Sequence, residues 1–377
     1  MREEDIIKEY ENKLTYAWSK ANTKSKKRRL LYDLSSFSVL SSLYPNLDKK
    51  YNWESNSEFQ NLFESITIPF LDNIMEMKHI FMPCASNIIK VIKETEFPLY
   101  KDYGKEDRCL SHKAAEELMH SFLNDYNKDM LIKYKELIKE GKLFKNNPLQ
   151  SSALFCSLDN LKESFIYPIT DIKDSIYKSS LMSHELGHYY ETLLFQNVGN
   201  NNYRVKIDKL PFYEVTSKSF EYAYLRYLLD NNILTEDVKV TLRRYYISML
   251  ICAYDMSIIY RLKNIKLNED NYIEIDDPRI VSYGNSIMNY LNFDSLYIEE
   301  GDIYDFRDSF IYGIGSIFAV YLYEFYKDNP NNYWKELRNM LLALPNTKGI
   351  EVFENVGITK DKLISCNTIK KELKRTK

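Results

Sequence analysis

Ser183-His184-Glu185-Leu186-Gly187-His188 is the stretch on which the reading of this sequence turns. Two histidines at i and i+4 lie about 40° apart around an α-helix, one turn apart on the same face. So placed, two neutral imidazoles reach one Zn²⁺ at about 2.0–2.1 Å. Glu185 follows the first histidine and reaches toward the open coordination position. There a carboxylate can take a proton from metal-activated water. The chain has only five His among 377 residues, so this spacing is rare by chance. Leu181, Met182, Leu186 and Leu193 give the segment the apolar stripe of a packed helix.

A catalytic zinc site needs a third protein ligand. The other histidines, His79, His112 and His120, all lie upstream, so a carboxylate is the better candidate. Glu214 stands 26 residues past His188, and Glu221 seven residues further. A spacing of seven puts both on one face of a helix. The intervening length allows the chain to reverse and lay that helix beside the first. The alternative is a solvated acidic stripe with no ligand role.

Around this centre the pattern is mainly helical. Ser111 is placed to cap a helix through Ala114, Leu118 and Phe122. A second helix is expected through Met130, Tyr134 and Ile138, ending at Gly141. Ser152–Leu158 and Glu163–Tyr167 read as a small antiparallel ribbon. Helices are then expected from Ile172 to about Phe195, from Pro211 to Leu229, and over 236–262, 278–291, 308–327 and 331–343. Residues 1–80 read as a polar helical lead-in and 81–377 as the main body. The run Lys24–Arg29 reads as a solvated helix face, with a contact to an anionic partner as the alternative.

Composition excludes several classes. At 45% hydrophobic and 28% charged residues, the chain can bury a core, which excludes a disordered chain. The net charge of −3 gives no global basic balance toward nucleic acid. The basic runs at 24–29 and Lys370–Lys377 are short and lack interleaved aromatics. The apolar runs Tyr245–Tyr260 and Phe310–Tyr323 are shorter than the ~20 residues of a membrane span, so they are expected to be buried helices. The start, Met1-Arg2-Glu3-Glu4-Asp5, lacks the form of a secretory signal, and five scattered cysteines form no CxxC pair. Both point to a reducing cytoplasm.

The sequence resembles the oligoendopeptidase F and thimet oligopeptidase family of zinc metallopeptidases. In that family an HExxH helix is followed, about 25 residues on, by a helix reading roughly AEVAST-x-NE. Here the segment is Tyr213-Glu214-Val215-Thr216-Ser217-Lys218-Ser219-Phe220-Glu221. Upstream, Asp125–Phe144 and Phe165–Ile169 resemble the family's approach to its HExxH helix. Downstream, Phe310-Ile311-Tyr312-Gly313-Ile314-Gly315 resembles its Y-x-Y-A-T-G segment. Ala343-Leu344-Pro345-Asn346 and Asn355-Val356-Gly357-Ile358 resemble its closing motif. The likeness spans about 80–377.

The resemblance implies a mainly α, zincin-like metallopeptidase domain over 81–377 with a small antiparallel β element. It implies one zinc per chain on His184, His188 and Glu214, with Glu185 as general base and Glu221 orienting a ligand imidazole. Tyr312 would stabilise the oxyanion. Family members carry a His before this tyrosine segment. This chain has none after His188, and Tyr304 is the substitute donor on offer. The implied activity is hydrolysis of peptide bonds in oligopeptides, with neither nucleic acid nor membrane as a partner. The missing His leaves a peptide-binding protein on the same scaffold as the alternative. The chain is also shorter than the family, so the expectation is either a more open cleft or one completed by a partner or a second copy.

Overall fold

A computed structural model describes residues 12–17, 19–21, 23, 26–27, 29–30, 83–95, 108–144, 153–158, 163–170, 172–198, 212–259, 303–347 and 349–377, with backbone alone for 197–198, 254–259 and 303–310. The chain is mainly helical, with a single two-stranded sheet among the described residues. The lead-in expected over 1–80 falls largely outside the described residues, as does the helix expected over 278–291.

Helix α1 spans His112–Tyr126 and α2 Lys128–Glu140. Ser111 caps α1 by accepting from the Ala114 N–H at 3.1 Å. Asn127 both ends α1 and caps α2, accepting from Met130 N–H at 3.1 Å. Gly141 closes α2 at φ 67°, a left-handed turn that glycine adopts without steric cost.

The ribbon forms as expected. Strand β1 (Leu154–Leu158) pairs antiparallel with β2 (Glu163–Tyr167), and Cys156 lies opposite Phe165. The far edge of β2 is met by 142–144, where Phe144 N–H donates to Ile166 O and Ile166 N–H to Lys142 O, both at 3.0 Å. The ribbon packs against α3 (Ile176–Val198), which carries the two histidines.

Helix α4 (Val215–Asp230) is central among the described helices, with every residue from Val215 to Leu228 buried. It packs against α3 on one side and α6 (Ile303–Tyr326) on another, and α6 packs in turn on α5 (Thr235–Ile259). The two apolar runs fall on α5 and α6 and supply core residues such as Tyr246, Leu250, Ile317 and Phe318. Helix α4 begins at Val215, later than the Pro211 start expected from sequence, because 212–214 form a tight turn and Glu214 is the N-cap residue.

Helices α7 (Pro330–Ala343), α8 (Glu351–Glu354), α9 (Lys360–Ser365) and α10 (Asn367–Thr376) complete the chain. The helical segment over 83–94 docks on this end. Asn87 Nδ2 donates to Ile364 O at 2.7 Å, and the free thiols of Cys84 and Cys366 lie 3.9 Å apart. No helix among the described residues is long and apolar enough to cross a membrane.

Candidate metal centre

The centre forms where α3 crosses the start of α4. The crossing is close because Gly187 has no side chain. A Cβ there would come within 2.5 Å of Ser217 Cα and 2.8 Å of Thr216 O. From the other side, Gly315 of α6 lets that helix press on the same turn, since its Cβ would lie 2.6 Å from Glu214 O. Ser183 Oγ donates to Phe220 O at 3.0 Å and pins the register of α3 on α4.

His184, His188 and Glu214 meet there, each less than a tenth exposed. Glu214 Oε2 lies 3.1 Å from His184 Nε2 and 3.4 Å from His188 Nε2, and the three donor atoms all fall within 4.8 Å of one another. Four ligands at ~2.05 Å around a tetrahedral ion stand ~3.3 Å apart, so these two separations fit such an ion. Two imidazole nitrogens and one carboxylate also suit zinc chemically.

Glu221 faces the far side of the same ring. Its Oε2 lies 3.1 Å from His184 Nδ1. His184 is thus held between two carboxylates, with Nε2 toward Glu214 and Nδ1 toward Glu221. The solvated acidic stripe is ruled out, because both glutamates are buried. The seven-residue spacing delivers them to one face although Glu214 precedes the helix proper.

The charges follow from this packing. Burial alone would depress His184, but hydrogen bonding to Glu214 and Glu221 outweighs it and lifts the imidazole to about 10. Burial pushes Glu214 up, yet the two histidines overcome it and hold the carboxyl well below its usual range. Glu221 is likewise lowered, with Lys218 and His184 prevailing over burial. Glu185 goes the other way. Burial raises it, against the pull of both histidines and a backbone hydrogen bond from Phe155 of β1.

Tyr312 stacks its ring on His184, with centroids 6.1 Å apart and planes 16° apart. It is one of the few exposed large aromatics among the described residues, at 37%. Tyr304 lies two turns earlier on α6, and its side chain is outside the described residues. His112 and His120 sit on α1 and take no part in the cluster, whereas His79 is outside the described residues.

Four further residues complete the surroundings. Ser217 donates to Glu214 Oε2 at 2.5 Å, and Lys218 donates to Glu221 Oε2 at 2.8 Å. Tyr213 and Phe155 lay their rings 5.5 and 6.2 Å from His188. The pairing of Lys218 with Glu221 is legible as an i,i+3 spacing, but such pairs are ordinarily surface features. Nothing in the sequence marks Phe155, whose approach depends on how the ribbon meets α3. Comparison with protein-family models, with curated proteins and with solved structures returns no match.

Proposed function

We propose that the chain is a zinc-dependent endopeptidase of the zincin type that hydrolyses peptide bonds in oligopeptides, as its resemblance to the oligoendopeptidase F and thimet oligopeptidase family implies. One observation carries this reading. His184 Nε2, His188 Nε2 and Glu214 Oε2 converge in a buried cluster, with Glu185 one residue beyond the first histidine. In that reading His184, His188 and Glu214 hold the metal. Zinc, when bound, polarises a peptide carbonyl and makes water more acidic.

The chain's own groups do the rest. Glu185 accepts the proton of the attacking water and passes it to the departing amine nitrogen. Burial raises its carboxyl, which favours its holding the proton between the two halves of that transfer. Glu221 accepts the Nδ1 proton of His184 and so turns Nε2 toward the centre. Tyr312, stacked on His184 and partly exposed, is the candidate donor to the developing oxyanion, with Tyr304 as a second candidate. Five scattered cysteines with no CxxC pair fit a cytoplasmic setting.

The test is metal analysis of the purified protein together with cleavage of a mixed peptide library followed by mass spectrometry. We expect one zinc per chain and cleavage that Glu185→Gln reduces by at least about 10²-fold while zinc is retained. Zinc with no cleavage of any peptide would leave the alternative, a peptide-binding protein. Absence of zinc binding would remove the centre itself.

A further inference from the structure

Lys218 is a buried lysine, 8% exposed, on the most enclosed helix among the described residues. Taking an ammonium out of water costs several kcal/mol unless it is well paired. Its partners come from three helices. Nζ donates to Glu221 Oε2 on α4 at 2.8 Å. It also lies 5.2 Å from the ring centroid of Tyr245 on α5 and 5.3 Å from that of Tyr312 on α6. Aromatic faces at that range attract a cation.

Two of these partners touch one metal ligand. The Glu221 oxygen that receives Lys218 is the same one that faces His184 Nδ1 at 3.1 Å. The Tyr312 ring that receives Lys218 stacks on His184. The charges also close. Glu185, Glu214 and Glu221 together carry −3 when ionised, and Lys218 with a divalent cation carries +3. Without Lys218 the buried centre is left with an excess negative charge, and Glu221 keeps only a shared imidazole proton.

We propose that Lys218 is a positioning residue of the metal centre, acting on His184 through Glu221. It keeps the Glu221 carboxylate aimed at His184 Nδ1, so that Nε2 is presented to the metal. The Tyr312 and Tyr245 rings hold the ammonium in that place. This role rests on the metal-centre reading above.

The test measures zinc affinity by competition with a chelating dye, so it needs no catalytic assay. Three variants are compared with wild type: K218M, K218R and E221Q, together with the double variant K218M/E221Q. We expect K218M to weaken zinc about 10–100-fold, the range found when groups supporting metal ligands are removed. K218R should recover most of that loss, because it restores the cation. The double variant should match E221Q within about threefold, since Lys218 works through Glu221. K218M binding zinc as tightly as wild type, or losses that multiply in the double variant, would overturn the role. Should K218M fail to fold, the double variant, which also removes the Glu221 carboxylate that K218M strands, carries the comparison. A tenfold gap between it and E221Q then overturns the proposal. A wild-type protein that binds no zinc would overturn the metal centre and this role together.

Discussion

In the proposed centre, a proton on His184 and a metal ion would compete for the same nitrogen. Because Glu214 and Glu221 lift His184 to about 10, binding of zinc at neutral pH must displace that proton. Zinc affinity should therefore rise about tenfold per pH unit between roughly pH 7 and 10. The stability of the metal-free protein should run the other way. A histidine raised in the folded state stabilises fully below its unfolded pKa of about 6.5, and that stabilisation is lost as pH rises through about 10. The raised carboxyl of Glu185 has the same sign, since its charged form is disfavoured by burial. Glu214 and Glu221, both lowered, lose their contribution only as the solution becomes acid. Thermal unfolding in chelator should thus show a falling midpoint from pH 7 to 10, and saturating zinc should flatten or reverse the trend. A midpoint in chelator that is flat or rising over that range would contradict the charge arrangement. At this scale the i,i+4 histidines and Glu185 were readable from spacing. Lys218 and Phe155 were not, because one was indistinguishable from a surface pair and the other approaches from a separate element.

Three helices converge on one turn, and two glycines make room for them. Gly187 brings α3 onto Ser217, and Gly315 brings α6 onto Glu214. In both cases an added Cβ would strike backbone atoms, which no change of side-chain rotamer relieves. Gly187→Ala or Gly315→Ala should destabilise the fold by about 1–3 kcal/mol in urea titrations. Each should also weaken zinc binding at least about tenfold, because it pushes Glu214 away from the histidines. Full zinc affinity in a folded Gly315→Ala protein would show that α6 has slack at this crossing. Most elements were legible from local chemistry: the Ser111 cap, the Gly141 stop, the ribbon and the apolar runs of α5 and α6. The start of α4 was not. Pro211 fits a first helical position, yet the tight turn over 212–214 delays the helix to Val215 and leaves Glu214 as its N-cap. That shift makes the third candidate ligand a helix-entry residue, fixed by Ser217 from the first turn.

Across the molecule, the C-terminal helix is held to the core by buried charge. Glu372 is fully buried and accepts from Tyr222 of α4 at 2.9 Å and from Arg375 at 2.9 Å, with Arg226 at 3.4 Å. Arg226, almost wholly enclosed, also pairs with Asp230 at 2.8 Å. Glu372→Ala would leave Arg226 and Tyr222 facing an unfilled space. Breaking one side of such a pair costs about 3–5 kcal/mol, which a denaturant titration would register. The proposed metal centre draws on other residues, so zinc affinity of the folded variant should stay within about twofold of wild type. A loss of affinity as large as that of K218M would mean the two regions are coupled. The same helix clarifies the basic run Lys370–Lys377. Lys370 pairs with Glu94, Lys371 with Glu324, and Arg375 with Glu324, Glu372 and Asp230. These cations serve contacts within the chain. No periodicity in the sequence announces them, because their carboxylate partners lie as far as 276 residues away.

The sequence by itself determined the paired histidines, the adjacent Glu185, and the helices and ribbon that carry them. Each of these rests on spacing and capping within a few residues, where helix and strand geometry leave little choice. The tertiary structure decided the rest. It buried Glu214 and Glu221 on opposite nitrogens of His184, set Lys218 behind Glu221, and laid Tyr312 on the same imidazole. Those relations depend on how closely helices cross at Gly187 and Gly315 and on exclusion of water from the crossing. Local pattern does not encode interhelical distance, and a carboxylate reads the same in sequence whether it faces solvent or an imidazole.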